Sequence, residues 1–294
     1  VKDIISRLKS GRVIVADGAT GTMLQAAGLP AGTPPERWVL ENPAPLLNLQ
    51  RAYVEAGSDL IVTCTFGGNR TRLERAGLAD RLVEVNRRAV QIAREAAGDR
   101  AYVAADVGPT GEFLAPLGEM THGQAVDIFA EQAAVLAEAG VDVLYIETMF
   151  DLNEMKAAVQ GLQRAGGGIP IFATFSFDTR GRTNMGVRPE QAAETLHASG
   201  VAAFGANCGA TLEMTAGVIA EMHKVAPEAI LIAKPNAGKP RMVGRETVYD
   251  ATPEDMAEYA KRFVALGVQV VGSCCGSTPE HIKAIAEAVA DQSR

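Results

Sequence analysis

Apolar residues along the chain gather in short, β-branched runs. Each run is followed by a cluster of Gly, Asn, Asp or Thr and then by an amphipathic stretch with helical spacing. Eight such runs occur, at 12–17, 59–66, 101–107, 141–148, 169–177, 202–207, 229–235 and 268–273. They are almost continuously apolar, as parallel strands covered on both faces should be, and the stretches between them can serve as the crossovers that parallel strands require. The pattern predicts an α/β fold, a single-domain (β/α)8 TIM barrel, with an open doubly wound sheet as the alternative. Helix boundaries are legible too. Thr121 with Gln124 and Asp151 with Glu154 have capping-box spacing, while Pro253 after Thr252 and Pro279 after Thr278 suit a first helical position. Gly140, Gly200 and Gly267 each close a helical stretch just before a strand. No linker or low-complexity tract divides the chain, so 1–294 reads as one domain.

The unusual polar residues fall at the C-terminal ends of the runs: Asp17, Cys64, Asp106, Glu147, Ser176, Asn207 with Cys208, Asn236, and Cys274 with Cys275. A barrel builds its active site at that rim, so these residues are expected to converge.

Composition narrows the classes. A length of 294 residues fits a barrel of about 250 residues with modest additions. With 47% hydrophobic and 21% charged residues the chain is that of an ordered globular protein. The net charge of -7 and the lack of a basic stripe argue against nucleic-acid binding. There is no apolar run of about 18 residues, which argues against a membrane partner. The segment VKDIISRLKS breaks its apolar positions with Asp3 and basic residues, unlike a signal-peptide core, so a cytoplasmic location is expected. Four cysteines are too few for a disulfide scaffold in a chain of this length.

Three of those cysteines follow the sixth and eighth runs, Cys208 in GANCGA and Cys274 with Cys275 in VVGSCCGST. A barrel brings them within reach of one metal ion. Three protein ligands with one open position is the arrangement of a catalytic zinc site, whereas structural sites close the fourth position and often use a C-x2-C spacing that this chain lacks. Buried inert thiols, or a redox role for the vicinal pair, are the competing readings. A thiol of pKa about 8.5 is mostly protonated at neutral pH, and coordination to zinc removes that proton. Three cysteinates leave the centre at net charge -1, so a bound substrate sulfur stays electron-rich and suited to alkyl transfer. Cys64 alone reads as a buried apolar residue. His197 and His223 lie in helical stretches and read as solvated, whereas His122 and His281 stand near helix starts, where they cap or line the rim.

The segments DGATGT, GANCG and GSCCGSTPEH resemble the homocysteine S-methyltransferase family, and the likeness runs from end to end. Through DVGPTGE, ETMFD, PNAG and CCGSTPEHI the chain is most similar to the homocysteine-binding barrel of the cobalamin-dependent methionine synthases. Betaine and S-methylmethionine enzymes share the cysteine arrangement but less of the rest. The resemblance implies that Cys208, Cys274 and Cys275 are the zinc ligands and catalytic centre, with Asn236 as an exchangeable fourth ligand. It further implies that Asp17 and Glu147 hold the homocysteine amino group, while backbone N–H groups around Gly18, Ala19 and Thr20 meet its carboxylate. Two departures stand out: Ser273 where the family often has glycine, and Cys64 where it often has asparagine.

The implied activity is methyl transfer to homocysteine, held as a zinc thiolate, to form methionine. No Asp-x-His-x-x-Gly motif for a corrinoid is present, and a folate-binding barrel would need about 250 further residues. Methylcobalamin is therefore expected on a corrinoid-binding partner, alongside a folate-binding one, whether as domains or as separate proteins. S-methylmethionine or betaine as direct donor, a corrinoid-linked methyltransferase for another thiol, and a non-catalytic zinc or redox regulatory barrel are the alternatives.

Overall fold

The computed structural model describes residues 3–290 except Arg245; the ends of the expected 1–294 domain, Val1 with Lys2 and residues 291–294, lie outside the described residues. Eight parallel strands form one sheet: β1 (Ile14–Val15), β2 (Leu60–Val62), β3 (Tyr102–Val107), β4 (Val143–Met149), β5 (Ile171–Phe175), β6 (Ala203–Cys208), β7 (Leu231–Pro235) and β10 (Val268–Val271). A separate antiparallel hairpin, β8 (Arg241–Val243) and β9 (Glu246–Val248), grows from the loop after β7. All eight predicted runs coincide with a strand, β4 and β6 each running one residue past the expected end.

Sequential strands are neighbours from β2 to β7, and β10 lies between β7 and β1. The ring closes where Ala16 pairs with Leu60: Asp59 N donates to Val15 O at 2.7 Å and Asp17 N to Leu60 O at 3.0 Å. An open sheet would leave those edge groups without partners, so the doubly wound alternative is excluded.

The two-residue strand period sorts the side chains. Leu60, Val62, Tyr102, Ala104, Val143, Tyr145, Phe172, Ala203, Ile232 and Val270 form the barrel interior, closed from below by Ile4 and Leu8 of the helix Ile4–Lys9. The intervening residues, among them Ile61, Val103, Ala105, Leu144, Ile146, Phe204 and Val271, belong to the larger cluster with the surrounding helices. Carrying the inward period further along the strands places Asp106, Glu147, Thr174, Asn207 and Lys234 at the upper end of the interior, all buried. The barrel core thus turns from apolar to polar towards the C-terminal ends of its strands.

Helix starts largely follow the sequence. Thr121 and Gln124 form a reciprocal capping box, as do Thr252 with Asp255 and Thr278 with His281. Asp151 caps the helix Leu152–Ala165, accepting from Asn153 N and Glu154 N, but Glu154 does not complete the box. Its Oε1 instead accepts from Thr110 N at 2.8 Å and Thr110 Oγ1 at 2.7 Å, tying that helix to the loop after β3. His281 caps as expected and also reaches Ala251 O, at 3.0 Å. His122 pairs with Gln160 instead of capping. His197 is exposed, whereas the ring of His223 packs on Gly267, and its Nδ1 is buried without a hydrogen bond. No helix among the described residues is long and apolar enough to cross a membrane.

Candidate metal centre

Cys208 is the last residue of β6, and Cys274 and Cys275 follow β10, so β7 runs between them. The end of β7 holds both cysteine loops. Cys274 N donates to Pro235 O at 2.8 Å, Ala237 N to Cys275 O at 3.0 Å, and Asn236 N to Cys208 O at 3.3 Å. Ser273, the departure from the family's usual glycine, is fully buried and donates its hydroxyl to Pro235 O at 2.9 Å, which adds a further tie in the same place.

The sulfurs of Cys208, Cys274 and Cys275 all lie within 4.8 Å of one another, the one group of metal-ligating side chains found among the described residues. Cys208 Sγ is 2.8 Å from Cys274 Sγ, and Cys274 Sγ is 3.9 Å from Cys275 Sγ. Three sulfurs bound tetrahedrally at about 2.3 Å from zinc stand about 3.8 Å apart. The second pair already has this spacing, and the first reaches it by opening about 1 Å.

The backbone is committed to this arrangement. Cys208 has φ 55°, a left-handed conformation that costs a non-glycine residue about 1–3 kcal/mol and that interrupts the strand's alternation. After Cys275, Gly276 has φ 81°, and a Cβ there would lie 2.1 Å from the ring of Tyr249. Tyr249 covers this turn, and its phenol hydrogen-bonds Cys275.

The three thiols share their protons unequally. Hydrogen bonds with Cys208 and Cys274 hold the Cys275 thiol well below the usual thiol range. Hydrogen bonds to Cys274 and Cys275, with burial, push Cys208 well up. Three ionisable sulfurs this close to one another suit a soft divalent cation. Asn236 adds a neutral oxygen: Nδ2 donates to Gly209 O at 2.9 Å, while the buried Oδ1 has no hydrogen-bond partner. This acceptor without a partner belongs to the residue whose N–H bonds Cys208 O, and a neutral oxygen of that kind is chemically able to ligate a cation.

A cavity of about 540 Å³ opens over the centre and is walled by the three cysteines, Gly18, Ala19, Thr20, Asp106, Glu147, Lys234 and Cys64. Every sequence-predicted site residue except Asp17 and Asn236 lines it. Asp17 lies beneath the wall, and its carboxylate is already engaged. Its Oδ2 accepts from Val62 N at 2.8 Å and its Oδ1 from Lys234 Nζ at 3.0 Å, with the two side chains 1% and 3% exposed. Burial works against the Lys234 charge, but Asp17 and then Glu147 outweigh it and hold the ammonium protonated. Glu147 contrasts with Asp17: its Oε2 is buried with no hydrogen bond, and burial, opposed by Lys234, pushes it up to about 8. Asp106 is likewise buried with an orphaned Oδ1 and is pushed well above the carboxylate range by burial and then by Glu147.

The turn expected to meet a carboxylate is also partly occupied. Ala19 N donates to Ser277 Oγ at 3.0 Å, and Ala19 O accepts from Tyr53 Oη at 2.8 Å. Gly18 is required there, because a Cβ would lie 2.6 Å from Ser277 Oγ and 2.8 Å from Tyr53 Oη. Asn207 is a positioning residue. Its Oδ1 accepts from Thr148 N at 2.8 Å and Thr174 Oγ1 at 2.7 Å, and its Nδ2 donates to Thr148 Oγ1 at 2.6 Å. This clamps Thr148 at φ 62°, immediately after Glu147. Cys64 is buried at the cavity wall, outside the sulfur group, and burial pushes its thiol well up. It behaves as the apolar residue expected.

Sequence reasoning missed Lys234, Tyr249 and Glu36. Lys234 was detectable as a lone charge in an apolar strand, two residues after inward Ile232. Glu36, 3% exposed, accepts from Gly67 N in the cavity wall, and nothing in its helix marks it.

The family model described as homocysteine S-methyltransferase matches residues 14–289. The methionine synthase of Mycobacterium tuberculosis is 34% identical over 304 positions, covering 97% of this chain and 25% of that protein. That of Mycobacterium leprae is 34% identical, covering 95% and 24%. The chain therefore spans about a quarter of the length of these relatives. The homocysteine methyltransferase MmuM of Escherichia coli, in its metallated form, superposes with TM-score 0.80 over 96% of this chain and 98% of that one at 23% identity, a likeness of fold. On the family match along nearly its whole length, the chain belongs to the homocysteine S-methyltransferase family.

Proposed function

We propose that residues 1–294 are a homocysteine-binding zinc barrel that makes methionine by methyl transfer to the homocysteine sulfur, with methylcobalamin on a corrinoid-binding partner domain or protein as donor. The observation that carries this reading is the convergence of three cysteine sulfurs within 4.8 Å at the floor of a cavity whose wall presents the unpartnered Glu147 carboxyl.

Cys208, Cys274 and Cys275 would hold the zinc, with Asn236 Oδ1 in the fourth position until the acceptor arrives. When bound, zinc supplies an environment in which the acceptor thiol is deprotonated at neutral pH. The protein's own residues orient the substrate. Glu147 receives the substrate ammonium and gives up its proton as it does so, because a neighbouring cation favours the carboxylate. Asp17 completes the charge balance through Lys234, and the turn at Gly18, Ala19 and Thr20 borders the substrate's other end. Asn207 keeps Glu147 in place through Thr148. The relatives named methionine synthase are about four times longer, which supports a donor carried on a separate unit.

Incubating the zinc-loaded protein with homocysteine and, in turn, methylcobalamin, S-methylmethionine and betaine tests the reading. Methionine is expected with methylcobalamin, and X-ray absorption at the zinc edge should gain one sulfur neighbour when homocysteine is added. No methionine from any donor would remove the assigned activity.

A further inference from the structure

Tyr249 holds a hydroxyl against the sulfur centre that the proposed chemistry leaves without a task. It follows β9 directly, and the two residues after it are tied down. Asp250 Oδ1 accepts from Lys239 N at 3.1 Å, and Ala251 N donates to Ala237 O at 3.0 Å. Ala237 N in turn donates to Cys275 O at 3.0 Å, and Ala251 O bonds His281 Nε2 at 3.0 Å. The chain leaving the hairpin is thereby strapped to the loop that carries Cys274 and Cys275.

The side chain of Tyr249 lies on Gly276, where a Cβ would meet its Cγ at 2.1 Å, its Cδ2 at 2.3 Å and its Cβ at 2.6 Å. Only a glycine next to Cys275 lets the ring come this near. The hydroxyl is hydrogen-bonded to Cys275, while Cys208 and Cys274 act on it through their charge. A phenol has a proton to give and a thiolate has only lone pairs, so Tyr249 Oη donates and Cys275 Sγ accepts. Cys208 and Cys274 face each other at 2.8 Å, whereas Cys275 has this donor from outside the cluster.

A centre made of thiolates must direct an incoming methyl group to the acceptor sulfur and away from its own ligands. Transfer to Cys275 would form an S–CH3 bond from the sulfur lone pair while the donor keeps the electrons of the broken bond. The ligand would become a neutral thioether and the centre would lose a thiolate. Hydrogen bonds to ligating groups tune their basicity. We propose that Tyr249 is a positioning residue whose hydroxyl, donating to Cys275 Sγ, occupies that lone pair and keeps this ligand from being alkylated in place of the acceptor. This rests on the reading that the three cysteines hold zinc.

The test treats zinc-loaded protein, without acceptor, with less than one equivalent of iodoacetamide. The modified cysteine is located by peptide mass spectrometry, and zinc release is followed with a chromogenic chelator. The reagent makes the same demand on the sulfur, whose lone pair forms an S–C bond as iodide leaves. Tyr249→Phe keeps the ring on Gly276 and removes the hydroxyl, and Tyr249→Leu removes the ring as well. Tyr249→Phe should retain zinc and react about tenfold faster at Cys275, with Cys208 and Cys274 unchanged. In its cobalt-loaded form the lowest sulfur-to-metal charge-transfer band should move to longer wavelength, because a thiolate without a hydrogen bond gives up an electron more readily. Equal acceleration at all three cysteines, or loss of zinc from Tyr249→Phe, would make the hydroxyl a general support of the site and overturn the proposal. Wild-type rates in Tyr249→Phe, whether or not Tyr249→Leu reacts faster, would overturn it too, leaving at most shielding by the ring. Failure of the wild type to retain zinc would overturn the reading of the metal centre and this proposal together.

Discussion

At the level of single residues, the site divides between atoms already satisfied and atoms left without partners. The three cysteine sulfurs crowd one another, and Glu147, Asp106 and Asn236 each keep a buried oxygen unpaired. Such atoms cost about 1–3 kcal/mol each unless something binds them. Cys208→Ala and Cys275→Ala should therefore lose zinc, with metal content after dialysis falling near zero and turnover with it, whereas Glu147→Gln should keep zinc. In that variant the loss of a charge-assisted contact of about 1.5–3 kcal/mol should raise the homocysteine KM by about 10–100-fold. The pH dependence follows from burial pushing Glu147 up to about 8. A carboxyl whose folded pKa is raised contributes most below its ordinary value near 4.5, and that contribution is lost as pH rises through about 8. Unliganded wild type should lose melting temperature across that window relative to Glu147→Gln, and homocysteine, by supplying an ammonium, should reduce the difference. The cysteines and Glu147 were legible in the sequence because their types are rare at strand ends. Lys234 showed only as a lone charge in an apolar run, and Tyr249 not at all, since a tyrosine after a hairpin carries no chemical signature until its partners are seen.

Elements position these residues by their ends. β7 is the spacer: its terminal backbone bonds both cysteine loops, so the sulfurs of β6 and β10 meet above it. Substituting Gly276→Ala tests how tightly the second loop is drawn in. Its φ of 81° and the Tyr249 ring at 2.1 Å from any Cβ mean that the turn must move, and strain of about 1–2 kcal/mol adds to the clash. Weaker zinc binding in a competition titration is expected, with strand content in circular dichroism unchanged. The helix Leu152–Ala165 illustrates where local rules fall short. Asp151 caps it as its spacing predicts, but Glu154 abandons the box for Thr110, because a buried loop N–H without a partner is worth more than a contact at a solvated helix start.

Over the whole molecule, the apolar interior and the layer between strands and helices stabilise the barrel independently of the metal. The sulfur centre links only loops that already carry backbone bonds to β7. Removing zinc with a chelator should thus leave the barrel folded but lower its melting temperature by several degrees, since a ligand held at a hundredfold its Kd contributes about 2.7 kcal/mol. Collapse of far-UV circular dichroism on chelation would show instead that the metal is part of the folding core.

The alternation of apolar runs and amphipathic stretches was sufficient to determine eight strands, their parallel sense and the rim on which the reactive residues gather, because burial on both faces and right-handed crossovers permit few other arrangements. Ring closure between Ala16 and Leu60, the passage of β7 between the cysteine loops, and the pairing of Lys234 with Asp17 were decided by the tertiary structure. These are contacts between residues as much as 217 positions apart, and their energies depend on distance and burial, which no local pattern encodes.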